Sequence, residues 1–226
     1  MTDTARPADT RIIVFARAPE PGAVKTRLIP LLGAERAAAL QRLLIDRAIS
    51  TALAADIGPV ELWCAPSALH PLLTGFAETH GIVAASQCDG DLGARMLHAA
   101  VTALAATPRV IIIGADCPVM TAGDLRRAAA ALADGNDAVL MPAEDGGYAL
   151  IGLKWWAAQL FTDIAWGADQ VMAATRERLA ALAWRWHELP AAWDVDRPGD
   201  FERLAASGLI PDLEARLDSQ QGACKK

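Results

Sequence analysis

The sequence predicts an α/β fold: a single-domain three-layer α/β/α arrangement around a mostly parallel mixed sheet that includes an antiparallel strand. Two uninterrupted apolar runs, Arg11–Ala16 and Arg109–Gly114, are typical of strands buried on both faces, and such strands belong to parallel sheets covered by helices. Strand-like and helix-like segments alternate along the chain, which favours right-handed crossovers. We expect one domain over residues 11–212, a flexible N-terminus over 1–10 and a frayed tail over 213–226.

Composition narrows the class of function. Of 226 residues, 53% are hydrophobic and 21% charged, which is enough for one large core. The net charge of −6 argues against a nucleic-acid surface, because a phosphate-binding face needs clustered Lys and Arg. No run is long enough for a membrane span, and the N-terminus lacks the apolar centre of a signal peptide, so we expect a cytoplasmic protein. The four cysteines form no Cys-x-x-Cys pair, which favours reduced thiols.

The first strand is followed by a cationic loop, Arg17–Leu28. Its two prolines and its glycine exclude a helix and a regular strand. It carries three cations, Arg17, Lys25 and Arg27, in an otherwise acidic protein. Guanidinium and ammonium groups match phosphate oxygens, so the loop suits a diphosphate or triphosphate. A solvated basic loop is an equally simple interpretation of this stretch alone.

A second loop with ligand-binding character follows the next elements. We expect a long amphipathic helix from Gly33 to about Asp56 and strands over 59–65 and 82–85. Gly90, Asp91 and Arg95 then open an Ala-rich helix. Asp91 can cap this helix, Gly90 allows a ligand to approach the helix N-terminus, and Arg95 lies near the same place. A capped helix without a ligand explains the same pattern.

Asp116 stands directly beyond the central apolar strand. In open α/β sheets ligands bind beyond the carboxyl ends of the strands, so Asp116 is expected to face a metal ion or a phosphate. The alternative is ordinary turn or cap chemistry, since the segment reads Asp-x-Pro.

A turn at Glu144–Gly147 separates two further apolar runs. It follows a predicted helix over 121–133, capped by Thr121, and a strand over 137–143. The Glu-Asp-Gly-Gly step predicts a reversal of the chain that adds an antiparallel strand. Asp145 and the single tyrosine, Tyr148, are candidate site residues there, although a surface hairpin tip also accounts for this composition.

The last third of the chain holds six of the seven tryptophans. Core packing is their usual role, and a wall for a ring-shaped substrate is a rarer one. A helix over 168–183 and a strand over 184–190 lead to Asp194 and Asp196, which share one face if extended. Arg197-Pro198 then opens a final helix.

These motifs together resemble one bacterial family. They cover about residues 11–213 in order and comprise Phe15–Pro19, Pro21–Leu28, Gly90–Met96, Gly114–Pro118, Asp145–Tyr148 and Asp194–Pro198. The set resembles the small glycosyltransferase-A-like proteins, some of them called arsenosugar-biosynthesis glycosyltransferases. More distantly it is similar to the nucleotidyltransferases of molybdenum-cofactor biosynthesis and to phospholactate guanylyltransferases, which share a Lys-x-Arg-Leu step.

The resemblance implies a nucleotide-diphospho-sugar transferase fold with a divalent cation, Mg²⁺ or Mn²⁺. It makes Asp116 the metal-binding carboxylate at the end of the central strand, and Asp196 best fits the late second ligand. The first loop lacks the Gly-rich signature of many sugar-nucleotide pyrophosphorylases.

Three functions are compatible with these expectations. The first is glycosyl transfer from a nucleotide sugar to a small-molecule acceptor, with Lys25 and Arg27 on the leaving phosphates and Asp145 as base. Arg17, Gly90, Asp91, Arg95 and Tyr148 would complete the nucleotide site. The second is nucleotidyl transfer from a nucleoside triphosphate with release of pyrophosphate. The third is nucleotide binding without catalysis. A homo-oligomer is compatible with all three.

Overall fold

A seven-stranded mixed sheet forms the centre of the computed structural model, which describes residues 9–221. The strands are β1 (Thr10–Arg17), β2 (Val60–Ala65), β3 (Val83–Ser86), β4 (Arg109–Gly114), β5 (Ala138–Pro142), β6 (Tyr148–Leu153) and β7 (Trp186–Glu188). Their order across the sheet is β3-β2-β1-β4-β6-β5-β7. All neighbouring pairs are parallel except those made by β6, which runs antiparallel to β4 and β5. The predicted α/β fold class is confirmed.

Helices cover both faces of this sheet. They are α1 (Ile29–Ala55), α2 (Pro71–His80), α3 (Leu92–Leu104), α4 (Ala122–Ala133), α5 (Val171–Ala181), α6 (Pro198–Ser207) and α7 (Leu213–Gln221). One buried cluster joins a sheet face to α1, α2 and α4, and a second joins the other face to α3 and α5. Within residues 9–221, every helix is too short or too polar to cross a lipid bilayer.

The two apolar runs of the sequence are the paired central strands β1 and β4. Ile12, Ile13 and Ile111 are fully buried, as expected for strands covered on both faces. Phe15 pairs with Gly114 in the parallel register. Arg17 and Asp116, each two residues further along, therefore leave the sheet at the same carboxyl edge.

The turn at Glu144–Gly147 reverses the chain as predicted. The Ala143 N–H donates to the Gly147 carbonyl at 2.9 Å, and β6 then runs back between β4 and β5. Because β6 is antiparallel, its start lies at the carboxyl edge of the parallel strands and its end lies at the opposite edge. Asp145 is thus brought to the edge that carries Asp116, whereas Lys154 and the two tryptophans after it lie at the far edge.

Two terminal expectations need correction. The tail was expected to be frayed from residue 213, but residues 213–221 form α7, whose Leu213 and Leu217 are buried in a third cluster with α1 and α6. This helix is mostly polar, but its two leucines are four residues apart and therefore lie on one side of it. They pack this side against α1 and α6. At the other end Thr10 already belongs to β1. Residues 1–8 and 222–226 lie outside the described range.

The first long helix also begins earlier than expected. It starts at Ile29, and Gly33, the predicted start, is a kink with φ 77° and ψ 161° inside it. A glycine tolerates this conformation at little steric cost. The short turn of helix before the kink continues directly from the cationic loop, so the position of this loop is fixed by α1.

Candidate functional site

Lys25 and Asp116 form an ion pair at the carboxyl edge of the sheet. The Lys25 Nζ lies 2.7 Å from Asp116 Oδ1, and the lysine side chain is only 4% exposed, against 48% for Asp116. Lys25 adopts a left-handed backbone conformation, φ 48° and ψ 39°, at the start of a single 3-10 turn over Thr26–Leu28. A buried aliphatic stem therefore delivers the ammonium to a carboxylate that remains open to solvent.

A second ion pair lies beside the first. The Arg27 guanidinium donates a hydrogen bond to the Asp196 carboxylate, and both side chains are partly exposed. The segment carrying Asp196 is fixed to the end of β4, because the Val195 N–H donates to the Asp116 carbonyl at 3.0 Å. The Asp200 carboxylate accepts hydrogen bonds from the Asp196 and Arg197 N–H groups. Asp200 thus caps α6 and sets the path of the Asp196 loop.

Asp194 joins the same group of charges. Burial, together with the neighbouring Asp145 and Asp116 carboxylates, raises the pKa of this carboxyl to about 6, while Lys25 opposes the rise. Asp194 is therefore close to three candidate site residues, Asp145, Asp116 and Lys25. The sequence resemblance favours Asp196, two residues later, as the late metal ligand. The signal that could have identified Asp194 was the alternation Asp194-Val195-Asp196. We call Lys25, Arg27, Asp116, Asp145, Asp194 and Asp196 the carboxylate–cation cluster.

The turn that carries Asp145 is tightly packed. Asp145 Oδ1 accepts a hydrogen bond from the Gly147 N–H at 2.9 Å. Gly146 has φ 91°, and a Cβ at this position would lie 2.0 Å from the Asp169 carbonyl oxygen. A glycine is required here by both conformation and space, so the neighbouring carboxylate is held in a defined position.

Tyr148, at the start of β6, is engaged within the protein. Its hydroxyl lies 3.8 Å from Met96 Sδ, and its ring meets Trp166 edge-on with ring centroids 6.4 Å apart. Burial raises the pKa of this phenol far above its usual range, so the hydroxyl stays neutral. Trp166 also stands against Gly93 in the first turn of α3. Tyr148 therefore supports the base of α3 in this structure, and its predicted contact with a nucleotide stays a prediction.

A pocket of about 250 Å³ opens at the end of the neighbouring strands β1 and β2. Arg17 and Arg95 both line it, together with Glu20 of the cationic loop. Arg95 is steadied by a hydrogen bond from its Nε to the Gly90 carbonyl at 3.1 Å. We call this space the arginine pocket. It places two arginines one strand away from the carboxylate–cation cluster. The predicted residues Arg17 and Arg95 line the pocket, and the predicted residue Gly90 contacts Arg95.

Asp91 is the helix cap that the sequence predicted. Its Oδ1 accepts a hydrogen bond from the Ala94 N–H at 2.8 Å, at the start of α3. This bond satisfies one of the free donors of the first helical turn. A direct contact between Asp91 and a ligand stays a prediction.

Two of the late tryptophans, Trp155 and Trp156, lie far from these residues. Trp155 and Trp156 are 59% and 54% exposed and follow the end of β6 at the opposite edge of the sheet. Trp193 is buried beneath the guanidinium of Arg203, which lies 4.4 Å from its ring centroid. Trp166 contacts a candidate site residue, Tyr148, and an aromatic wall for a substrate stays a prediction.

The donor chemistry of the cluster fits a hard divalent cation. Carboxylate oxygens are the ligands preferred by Mg²⁺ and Mn²⁺, and the raised pKa of Asp194 reflects burial together with an excess of neighbouring negative charge. The carboxylates are not gathered into a ready cage: within residues 9–221, no group of three or more His, Cys, Asp or Glu side chains is arranged to hold a metal ion. Asp116 and Asp196 are instead held by Lys25 and Arg27.

Comparison with known proteins assigns the chain to a family. The family model described as "Uncharacterized protein conserved in bacteria (DUF2064)" matches residues 48–168, more than half of the chain. The chain belongs to the DUF2064 family. No curated protein matches this DUF2064 member.

Solved structures share the fold. A protein from Desulfovibrio desulfuricans G20, named as a candidate nucleotide-diphospho-sugar transferase, is 29% identical with a TM-score of 0.83, over 95% of this chain and 97% of that one. A cytidylyltransferase from Leptospira borgpetersenii is 12% identical with a TM-score of 0.61, over 96% and 94%. Glucosyl-3-phosphoglycerate synthase from Mycobacterium tuberculosis, solved with Mn²⁺ and UDP, is 14% identical with a TM-score of 0.53, over 96% and 81%. The DUF2064 member thus has the architecture of nucleotide-dependent transferases.

Proposed function

We propose that this protein is a metal-dependent glycosyltransferase that uses a nucleotide-diphospho-sugar donor and a small-molecule acceptor. The observation that carries the proposal is the carboxylate–cation cluster at the carboxyl edge of the sheet. A diphosphate needs positive groups to bind it, and a divalent cation needs carboxylates. Lys25 and Arg27 supply the positive groups, and Asp116 and Asp196, to which they are paired, supply carboxylates. Asp194, whose pKa is affected by Asp116 and Lys25, supplies a further carboxylate.

Each residue has a role in this reaction. Asp116 and Asp196 would hold Mg²⁺ or Mn²⁺, with Asp194 as a further carboxylate on the same side. The bound cation supplies positive charge to the departing diphosphate. Lys25 and Arg27 donate hydrogen bonds to the phosphate oxygens. Asp145 accepts the proton of the acceptor hydroxyl as the new glycosidic bond forms and the bond from the sugar to the diphosphate breaks.

The arginine pocket supports a nucleotide as the donor. Its two guanidinium groups flank an opening one strand away from the cluster, so a ligand could extend from the pocket to the metal carboxylates. The relative from Desulfovibrio desulfuricans, at 29% identity over nearly the whole chain, adds support for a nucleotide-sugar donor.

Nucleotidyl transfer is the second candidate. In that reaction a substrate phosphate attacks the α-phosphorus of a nucleoside triphosphate, and pyrophosphate leaves. The number of cations favours it, because Arg17, Lys25, Arg27 and Arg95 supply more positive charge than a diphosphate needs. A nucleotide-binding protein without catalysis is a third candidate, and six charged groups in one cluster make it the least economical.

The products distinguish the three candidates. The protein is incubated with Mn²⁺ and panels of nucleotide sugars and nucleoside triphosphates, and nucleoside diphosphate and pyrophosphate are measured separately. Slow release of a nucleoside diphosphate without pyrophosphate supports the glycosyltransferase. Pyrophosphate formed from a triphosphate and a small phosphorylated acid would instead establish nucleotidyl transfer, and stoichiometric binding without either product would establish a binding protein. Asp116→Asn is the matched inactive variant, since it keeps the shape of the side chain and removes its charge.

A further inference from the structure

Both candidate metal carboxylates already have a cationic partner from the same loop. Lys25 contacts Asp116 at 2.7 Å, and Arg27 is hydrogen-bonded to Asp196. In the proposed function Asp116 and Asp196 bind the divalent metal ion. Lys25 and Arg27 bind the phosphates. A side-chain cation at a carboxylate opposes a metal ion at the same oxygen atoms, so the metal-bound state favours a change of partner for Lys25 and Arg27.

We propose that Lys25 and Arg27 are exchangeable counter-ions, which block the metal carboxylates until a nucleotide diphosphate draws them away. The inference rests on the proposed function and adds an order of binding to it. In the nucleotide-free protein the ammonium and the guanidinium neutralise Asp116 and Asp196. When the phosphate group arrives, it takes over both cations, and the carboxylates become free for Mg²⁺ or Mn²⁺.

The positions of the groups make this exchange physically simple. The side chains of Asp116 and Asp196 retain solvent exposure of 48% and 37% while the cations are in place. Asp116 Oδ1, which contacts Lys25, is buried, so water and a metal ion would approach this carboxylate from its Oδ2 side. The Lys25 stem is buried, and rotation about its flexible side-chain bonds is the movement by which the ammonium would pass from Asp116 to a phosphate. Arg27 is 62% exposed and can turn without leaving solvent. In this proposal the exchange proceeds by rotation of the two side chains.

Charge explains why exchange is required. A positive charge a few ångströms from a half-exposed carboxylate opposes binding of a second cation at the same oxygen atoms. Removal of the Lys25 charge should therefore raise the affinity of the nucleotide-free protein for Mn²⁺, although the same change removes a phosphate contact and should lower nucleotide affinity. These two effects have opposite signs, and a merely structural lysine would not produce them together.

The decisive experiment is a titration with Mn²⁺ alone. The concentration of free Mn²⁺ is measured by its electron paramagnetic resonance signal. Lys25→Met is compared with the wild type, and Lys154→Met serves as the matched control, because Lys154 lies at the opposite edge of the sheet and its removal changes net charge equally. We expect Lys25→Met to bind Mn²⁺ at least about tenfold more tightly than wild type, and Lys154→Met to change affinity by less than about twofold. Unchanged or weaker Mn²⁺ binding by Lys25→Met, in a variant whose thermal unfolding shows an intact fold, would overturn the exchange. Lys25→Gln repeats the comparison if the methionine variant does not fold.

A second titration tests the coupling to the nucleotide. Mn²⁺ affinity is measured with a saturating panel of ADP, GDP, CDP and UDP, because coupling between two ligands is reciprocal. The phosphate itself can ligate Mn²⁺, so the diagnostic quantity is the difference between proteins: the nucleotide should increase Mn²⁺ affinity more in wild type than in Lys25→Met. Equal coupling in both would overturn the exchange. If no nucleotide binds to any variant, the proposed function fails, whereas the titration with Mn²⁺ alone still decides whether Lys25 blocks the carboxylates.

Discussion

Replacement of Gly93 by alanine should destabilise the protein, even though alanine is normally the better helix former. Gly93 lies in the first turn of α3, where an added Cβ would stand 2.1 Å from the Phe161 carbonyl oxygen and 2.6 Å from Trp166 Nε1. A carbonyl oxygen of the main chain cannot turn aside as a flexible side chain can, so α3 or the Phe161–Trp166 segment must shift. Overpacking of this kind costs about 1–3 kcal/mol.

Gly75 provides a control with the opposite expected sign. It also lies within a helix, α2, but nothing stands within 4 Å of an added Cβ. Gly75→Ala therefore keeps the gain in helix propensity without a clash and should stabilise by about 0.5–1 kcal/mol. The free energy of unfolding of both variants is measured by urea denaturation, with thermal unfolding as a second probe.

The expected shift in melting temperature for a chain of this length is about 2–4 °C per kcal/mol. Gly93→Ala should thus melt about 2–12 °C below the wild type, and Gly75→Ala slightly above it. The close packing of α3 on Trp166 would be refuted if Gly93→Ala were as stable as the wild type or matched the gain of Gly75→Ala. The same variant should weaken nucleotide binding if Trp166 and the start of α3 border the ligand.

Three further predictions concern stability. Thr121→Ala removes the side chain that accepts the Asp124 N–H and should cost about 1 kcal/mol in urea unfolding, which Thr121→Ser should restore. Leu217→Ala should cost about 2–5 kcal/mol because Leu217 is fully buried between α7 and α1, and a negligible loss would mean that α7 does not dock. Arg176 forms a bidentate ion pair with Glu188 and lowers the pKa of that carboxyl from its ordinary 4.5. Because the pKa of Glu188 is lower in the folded protein than in the unfolded chain, the ion pair stabilises the fold at pH values above the unfolded pKa. This stabilisation is lost as pH falls through the folded pKa. Arg176→Met should therefore reduce stability by less than about 1 kcal/mol at pH 7. This deficit should shrink as pH falls below 4.5 and vanish once Glu188 is protonated; a deficit that persists in acid would contradict the assignment.

The central part of the fold could be predicted from the sequence because its signals are local. The apolar run Arg109–Gly114 indicates a strand buried on both faces, and the Glu144–Gly147 step indicates a reversal, and both are present. The third buried cluster was harder to predict from the sequence. Leu213 and Leu217 are two leucines in a polar segment, and only the surface of α1 that they meet reveals that they are part of a core.

The candidate site was predicted in part for a similar reason. Loop positions after parallel strands meet at one edge, so the convergence of Lys25, Asp116 and Asp145 follows from topology. Topology does not decide whether Asp194 or Asp196 is the late candidate metal ligand. Their positions depend on how the Val195 hydrogen bond and Asp200 hold the loop before α6. The pairing of Lys25 with Asp116 and of Arg27 with Asp196 is likewise a property of the folded chain.

The central claim is that Asp116 serves a metal ion that binds together with a nucleotide diphosphate. The most direct measurement is a calorimetric titration of ADP, GDP, CDP and UDP into the wild type and Asp116→Asn, with Mn²⁺ and with EDTA. Asparagine is preferred to alanine because it can still accept a hydrogen bond from the nearly buried Lys25 ammonium. We expect Mn²⁺ to increase the nucleotide affinity of the wild type at least about tenfold and to leave that of a well-folded Asp116→Asn unchanged. An equal gain from Mn²⁺ in both proteins would contradict the account.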